Sequence, residues 1–262
     1  MFRTLSAKIR KFHLFLHIFS IILNKLMPLI QKSLICFIII FLNANSFGQL
    51  NIKVGYSNGI TNAPVLNKVV TDFNDGFVKK FSGGSLDDKL DIFKSMHGLE
   101  IGLRYRMNKV GFELSWNSMS DKSDVFGKLQ NMSNFQDKWY LSMTEYSAAI
   151  ENYFGHFGYG ASMGYRTVRM KTDITGAPRK KKSVLEDSGF ANKFYLIFQF
   201  GGDKVGIAFK PYVQVPLRNL DISNFDQELN YQFDDAYIAI RPQEDRFFMY
   251  GISIVLYNGR QK

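Results

Sequence analysis

From Leu50 onward, apolar and polar residues trade places at every second position, in eight separate segments. Successive side chains of a strand point to opposite faces, so this period is the mark of a sheet with two unlike faces. Leu50, Ile52, Val54 and Tyr56 stand against Asn51, Lys53, Gly55 and Ser57. Leu99, Ile101, Leu103 and Tyr105 stand against Glu100, Gly102, Arg104 and Arg106, and Val110 to Trp116 repeats the pattern. A weaker segment follows over 145–154. Four more cover 157–166, 193–200, 205–215 and 248–256. The connections alternate in length. Asn108-Lys109, Gly155-His156 and Gly201-Gly202-Asp203 are hairpin turns. The stretches 60–97, 120–138, 172–189 and 218–246 read as long loops. Short turns at one end and long loops at the other are the layout of a barrel inserted in a membrane, with the short end in the periplasm. The expected fold is an all-β, eight-stranded antiparallel up-and-down transmembrane β-barrel, with four long extracellular loops and three short periplasmic turns.

Soluble sandwiches alternate too, so the make-up of the polar face has to decide. In a water-facing sheet, Lys, Thr and Glu would fill it. Here it is crowded with Gly102, Gly111, Gly158, Gly160, Gly164, Gly206, Ala208 and Gly251, which suit a narrow lumen. The charges among them have both signs: Lys53, Arg104, Arg106, Arg166, Lys193 and Lys210 with Glu100, Glu113, Glu145 and Glu151. In a lumen these ten are expected to compensate one another, because a buried charge needs a partner. The apolar face ends in aromatics at both ends, as a barrel crossing two lipid–water interfaces requires.

The N-terminus reads as an address. Leu34 to Leu42 is an unbroken apolar run behind Lys32, too short to span a bilayer as a helix. Ser46 and Gly48 occupy the small-residue positions of a cleavage site, so residues 1–48 are expected to be a signal peptide removed before Gln49. Met27 would open a signal of ordinary length by itself, so the start is either Met1 or Met27, and in the second case 1–26 is an over-extended gene start; an uncleaved anchor is the alternative to a cleaved signal. A lipid-modified Cys36 fits poorly, because Ile35 precedes it and apolar sequence follows. Residues 49–262 form the barrel domain. The formal charge of +10 then misleads: six of the 33 basic residues and none of the acidic ones lie in 1–48, leaving 27 against 23, a net of +4. Nothing in that balance points to nucleic acid. Without Cys36, the only cysteine, no disulfide or Cys-based zinc site is available.

The signal ending Ser46-Phe47-Gly48-Gln49, the eight strands and the closing strand Tyr250-Gly251-Ile252-Ser253-Ile254-Val255-Leu256-Tyr257 resemble the small outer-membrane β-barrel proteins abundant in Bacteroidota. The resemblance covers the mature chain and is one of pattern. It implies an outer-membrane location and carries over no site residue.

Candidate sites are few. The ten lumen charges read as a network that plugs and stabilises the barrel, or else as the lining of a narrow ion path. Arg179, Lys180, Lys181 and Lys182 form a basic run in the third loop that could meet lipopolysaccharide phosphates. His97, with Ser57 and Ser120, is the nearest thing to a lipid-hydrolase constellation, and nothing in the spacing selects it. The acids of 221–245 lack calcium-loop spacing. Leu66, Val69, Val70, Phe73 and Phe77 have the spacing of an amphipathic helix over the barrel mouth. The expectation is a non-enzymatic outer-membrane protein without cofactor, structural or surface-binding through its loops. Its partners would be outer-membrane lipid, lipopolysaccharide, or an envelope protein or surface polymer. A porin-like channel and a lipid-modifying enzyme are the alternatives.

Overall fold

The computed structural model describes residues 48–80, 85–129, 132–174, 182–201, 204–225 and 243–258. The signal segment lies almost wholly outside the described residues, as do Arg179, Lys180 and Lys181; Lys182 opens a strand. Among the described residues no helix is long and apolar enough to cross a membrane.

The elements are β1 (Gly48–Asn62), α1 (Pro64–Lys80), β2 (Ser85–Leu86), β3 (Ser95–Met107), β4 (Val110–Leu129), β5 (Met132–Phe154), β6 (Phe157–Ile174), β7 (Lys182–Gly201), β8 (Val205–Pro216), β9 (Leu220–Asp221), β10 (Glu244–Asp245) and β11 (Phe248–Asn258). The long strands pair with their neighbours in sequence, all antiparallel. β1 pairs with β11, and the circuit runs β4-β3-β1-β11-β8-β7-β6-β5 and back to β4. Eight strands therefore close into a barrel with no free edge. Asn108 and Gly155 take positive φ in the tight turns, where their residue types tolerate it.

Two of the four expected long loops are not loops. β4 and β5 run on through 120–138, and β6 and β7 take up much of 172–189, so these hairpins stand well above the rest of the barrel. The reason lies in rows of residues fixed by the register. Trp116, Tyr146, Tyr165 and Phe190 form one outward aromatic row across four strands. The next row up is all hydroxyl: Ser118, Thr144, Thr167 and Ser188. Above it come Ser120, Ser142, Arg169 and Glu186, then Lys122, Tyr140 and Lys171. The outer face is thus apolar below a sharp line and, apart from Phe126, polar above it. The inner face does the reverse. Above the line it carries Met119, Val125, Phe135, Trp139, Leu141, Met143, Val168 and Met170, all buried. Below it are the glycines and charges. From Tyr146 down to Phe154 is roughly 27 Å of strand at about 3.4 Å per residue, or about 20 Å along the barrel axis at the usual tilt.

The upper interior is closed by the first and fourth connections. Leu66, Val69, Val70 and Phe73 of α1 are fully buried, and Phe77 lies on the same helix. The Phe73 ring meets Trp139 at 5.1 Å, and Phe225 of the fourth connection meets Trp139 edge-on at 5.4 Å. The helix begins with Pro64, a residue suited to the first turn, yet its cap position holds Ala63, which offers no side-chain acceptor. The missing acceptor comes from far along the chain: Leu66 N donates to Asp245 Oδ2 at 2.7 Å. Asp245→Ala is therefore expected to cost about 1–2 kcal/mol, the usual worth of a cap. The loss would be local to α1 and the fourth connection. Hydrogen exchange in Leu66–Phe73 should quicken by about tenfold, while the barrel's resistance to SDS stays as it was. Unchanged exchange would show that the helix does not depend on this contact.

Candidate functional site

All ten charged residues named from the sequence point inward and are buried, at 7% exposure or less. The pleat puts them there: each shares the parity of the small lumen residues on its own strand. Six of them form one connected group. Lys53 Nζ bridges the carboxylates of Glu100 and Glu113. Lys210 Nζ reaches Glu113 Oε2 at 3.0 Å and Glu151 Oε1 at 2.6 Å. Hydroxyls fill the remaining acceptor positions. Ser57 Oγ donates to Glu100 at 3.0 Å, Tyr257 to Glu113 at 3.2 Å and Tyr195 to Glu151 at 3.0 Å. Tyr153 also donates to Glu151 and accepts from Arg104 Nη1 at 3.1 Å, which joins the arginine to the group.

Toward the turn end the partners are rings. The Arg104 guanidinium lies 3.5 Å from the Tyr257 ring centre, and Arg106 lies 3.9 Å from that of Tyr153. Gln199 Oε1 accepts from Arg106 at 3.2 Å, and Asn51 Oδ1 accepts from Arg104 at 3.0 Å. Toward the loop end Gln214 Nε2 donates to Glu145 at 2.6 Å, and Arg166 donates to the Phe247 carbonyl at 3.1 Å. Lys193 sits over the Tyr212 ring. The lumen glycines are small because these groups need the room: a methyl on Gly160 would strike the Tyr195 ring, and one on Gly164 the Glu145 carboxylate. Between Glu100, Glu113, Lys193, Lys210 and Ser253 the residual void is about 10 Å³, space for about one water. An arrangement this full fixes the strands to one another.

The other candidates are not brought together. Ser57 is buried in the lumen, where it bonds Glu100 and Ser253. His97 is on the outside of the wall against the Tyr56 ring, 6.1 Å between centres. Ser120 pairs with His97 across the ladder, but Ser57 lies on the opposite face, so no triad forms. Among the described residues no group of three or more His, Cys, Asp or Glu could hold a metal. The sequence parity places Tyr195 and Tyr212 on the lumen face with Lys193 and Lys210, but sequence reasoning missed Tyr153 and Tyr257, whose parity with the lumen charges was there to be read. It also missed Trp139, which anchors the upper plug.

Leu50, Ile52, Val54 and Tyr56 are 47–60% exposed, and Phe190, Phe194, Phe198 and Phe200 are 40–58% exposed. A ring of large apolar side chains around a closed, charged interior is the polarity of a transmembrane β-barrel, inverted from that of a water-soluble one. The chain is a small eight-stranded barrel of that class. Among solved structures it is similar to Neisserial surface protein A (NspA), with a TM-score of 0.40 and 9% identity over 81% of this chain and 98% of that one. It is also similar to the translocator domain of the autotransporter NalP from Neisseria meningitidis, with a TM-score of 0.23 and 10% identity over 87% and 94%. No family model and no curated protein matches the chain.

Proposed function

We propose that this chain is an outer-membrane protein of the Bacteroidota type that spans the membrane as a sealed, non-enzymatic barrel. Its work is done by the surface it presents: the capped upper end above the bilayer and the lipid-facing wall below it. The observation that carries this reading is the swap of polarity at the row Trp116, Tyr146, Tyr165 and Phe190. Below that row apolar side chains face out around a paired lumen, and above it they face in beneath α1. Outer-membrane lipid and lipopolysaccharide are the natural contacts of the wall. An envelope protein or surface polymer is the natural contact of the cap. The filled lumen weighs against a porin-like channel, and the separation of His97 from Ser57 weighs against lipid chemistry.

The test joins two measurements on protein from the outer-membrane fraction. Unboiled samples are expected to resist SDS and to run at a different apparent mass from boiled ones. Planar bilayers holding the same protein are expected to stay silent. A soluble, unshifted protein would overturn the membrane reading. Steady conductance that changes on replacing Arg104 would overturn the sealed one.

A further inference from the structure

The wall has an opening that the lumen network does not use. The return segment 87–94 of the first connection should lie beside β4, and it does not. Two asparagines of α1 hold it away. Asn67 accepts from Phe93 N at 2.9 Å and donates to its carbonyl at 3.2 Å. Asn74 does the same for Leu90, both bonds at 2.9 Å. The β3–β4 ladder consequently stops at His97–Ser120. Contact with β4 resumes only where Phe126 O accepts from Asp87 N and Ser85–Leu86 pairs with Gly127–Lys128.

Between these points lies a cavity of about 260 Å³, lined by Asp91, Phe93, Lys94, Asp121, Lys122 and Ser123, with Ile92 and Ser95 at its rim. It carries two carboxylates and two ammonium groups. The Lys122 ammonium is held only by an exposed contact to Asp124 at 2.6 Å, of the kind worth little in water. Ser123 is 5% exposed, and its Oγ has no hydrogen-bond partner. A buried hydroxyl without a partner is costly unless a ligand or water meets it. On β4 the cavity lies three outward rows above the aromatic row, while on the β1–β3 side it borders the last apolar residues. Ser95 pairs with Ile60, the last exposed apolar residue of β1, and His97 packs on Tyr56 just below.

We infer that this cavity is a binding site for a lipid headgroup bearing both a phosphate and a primary ammonium. Lys94 and Lys122 take the phosphate, Asp91 and Asp121 take the ammonium, Ser123 supplies a hydroxyl, and Ile92 and Ile60 meet the start of the acyl chains. Mixed charge is what separates this site from a basic patch, which would take any anionic lipid. A site offering both signs of charge pairs both groups of such a headgroup but only the phosphate of an anionic lipid, and that is the basis of its selectivity. The assignment rests on the membrane reading above.

The test uses the full chain purified in mild detergent, with the heat-shifted gel band confirming a closed barrel for every variant. A missing band in the parent would be a failure of the membrane reading, separate from this site. Native mass spectrometry then counts retained lipid after equal addition of phosphatidylethanolamine or phosphatidylglycerol. Phosphatidylethanolamine is expected to be retained about tenfold better, as the charge-assisted bonds to its ammonium imply. The double variant Asp91→Asn, Asp121→Asn should erase that preference, and Lys94→Gln, Lys122→Gln should lower retention of both lipids. Equal retention of the two lipids by the parent, or variants that behave like it, would overturn the site. So would displacement by free phosphoethanolamine at the same concentration as the lipid, because the apolar rim would then contribute nothing.

Discussion

Lys53→Met should lower the stability of the lipid-embedded barrel by about 3–5 kcal/mol, the usual consequence of removing one partner from a buried ion pair. Methionine nearly matches the lysine stem in volume, so the loss is one of charge and not of packing. Lys53 is fully buried and is the cation between Glu100 and Glu113. Without it, Glu113 keeps Lys210 and the Tyr257 hydroxyl, while Glu100 is left with Ser57. Two carboxylates then share too little positive charge in a space that holds about one water. The unfolding midpoint in urea, followed on vesicles by loss of the heat-shifted band, reads this directly. The double variant Lys53→Met, Glu100→Gln should recover much of the loss, giving a coupling of about 2 kcal/mol or more between the two sites. The outer pair Arg169–Glu186, about half exposed on both sides, supplies the contrast: breaking it should change stability by less than about 1 kcal/mol. If Lys53→Met behaved like the outer pair, the lumen charges would be passengers and the strand ladder alone would hold the barrel.

The parts of this fold that the sequence disclosed are those where one face keeps one character. In β1 the apolar residues hold a single parity from Leu50 to Tyr56, and in β8 from Val205 to Val215, so strand, face and lumen residue follow together. The upper hairpins did not disclose themselves, for a physical reason. Along β4 the apolar residues are even-numbered through Trp116 and, except for the exposed Phe126, odd-numbered from Met119. The backbone keeps its pleat across that point, as Ser118 and Met119 pair in step with Thr144 and Met143. What changes is the surroundings on both faces at once, from lipid outside and charge inside to water outside and plug inside. To a reader of hydrophobic period, a double change of that kind looks like the end of a strand. β5 and β6 cross the same line at Met143–Tyr146 and Tyr165–Val168. The lumen charges were legible as a set, since parity selects them. Their pairing was not, because it depends on shear between strands, as when Lys210 of β8 meets Glu113 of β4 across the barrel.

Asp137 makes the upper plug sensitive to pH in the opposite sense to most carboxylates. It is fully buried at the level of Trp139, well above the aromatic row, and burial pushes its carboxyl up to about 7 despite the bond from Trp139 Nε1 at 2.7 Å. The carboxyl prefers its proton more in the folded plug than in an opened one, where an ordinary aspartic acid applies. Stability from that preference is fully present below about pH 4 and is lost as pH rises toward and through 7. The span between those values corresponds to roughly 4 kcal/mol at most. Because Trp139 touches both Phe73 of α1 and Phe225, the charged form loosens both halves of the cap together. Protease cleavage of the first and fourth connections should therefore be slow at pH 5 and faster by a factor of ten or more at pH 8, with the barrel band unmoved at both. Asp137→Asn keeps an acceptor for Trp139 and cannot ionise, so it should cleave slowly at both pH values. Trp139→Ala should cleave quickly at both, since a buried tryptophan is worth about 3–5 kcal/mol. Parent protein that cleaved alike at pH 5 and pH 8 would mean that Asp137 stays ionised in place, and that the cap is held by its apolar contacts alone.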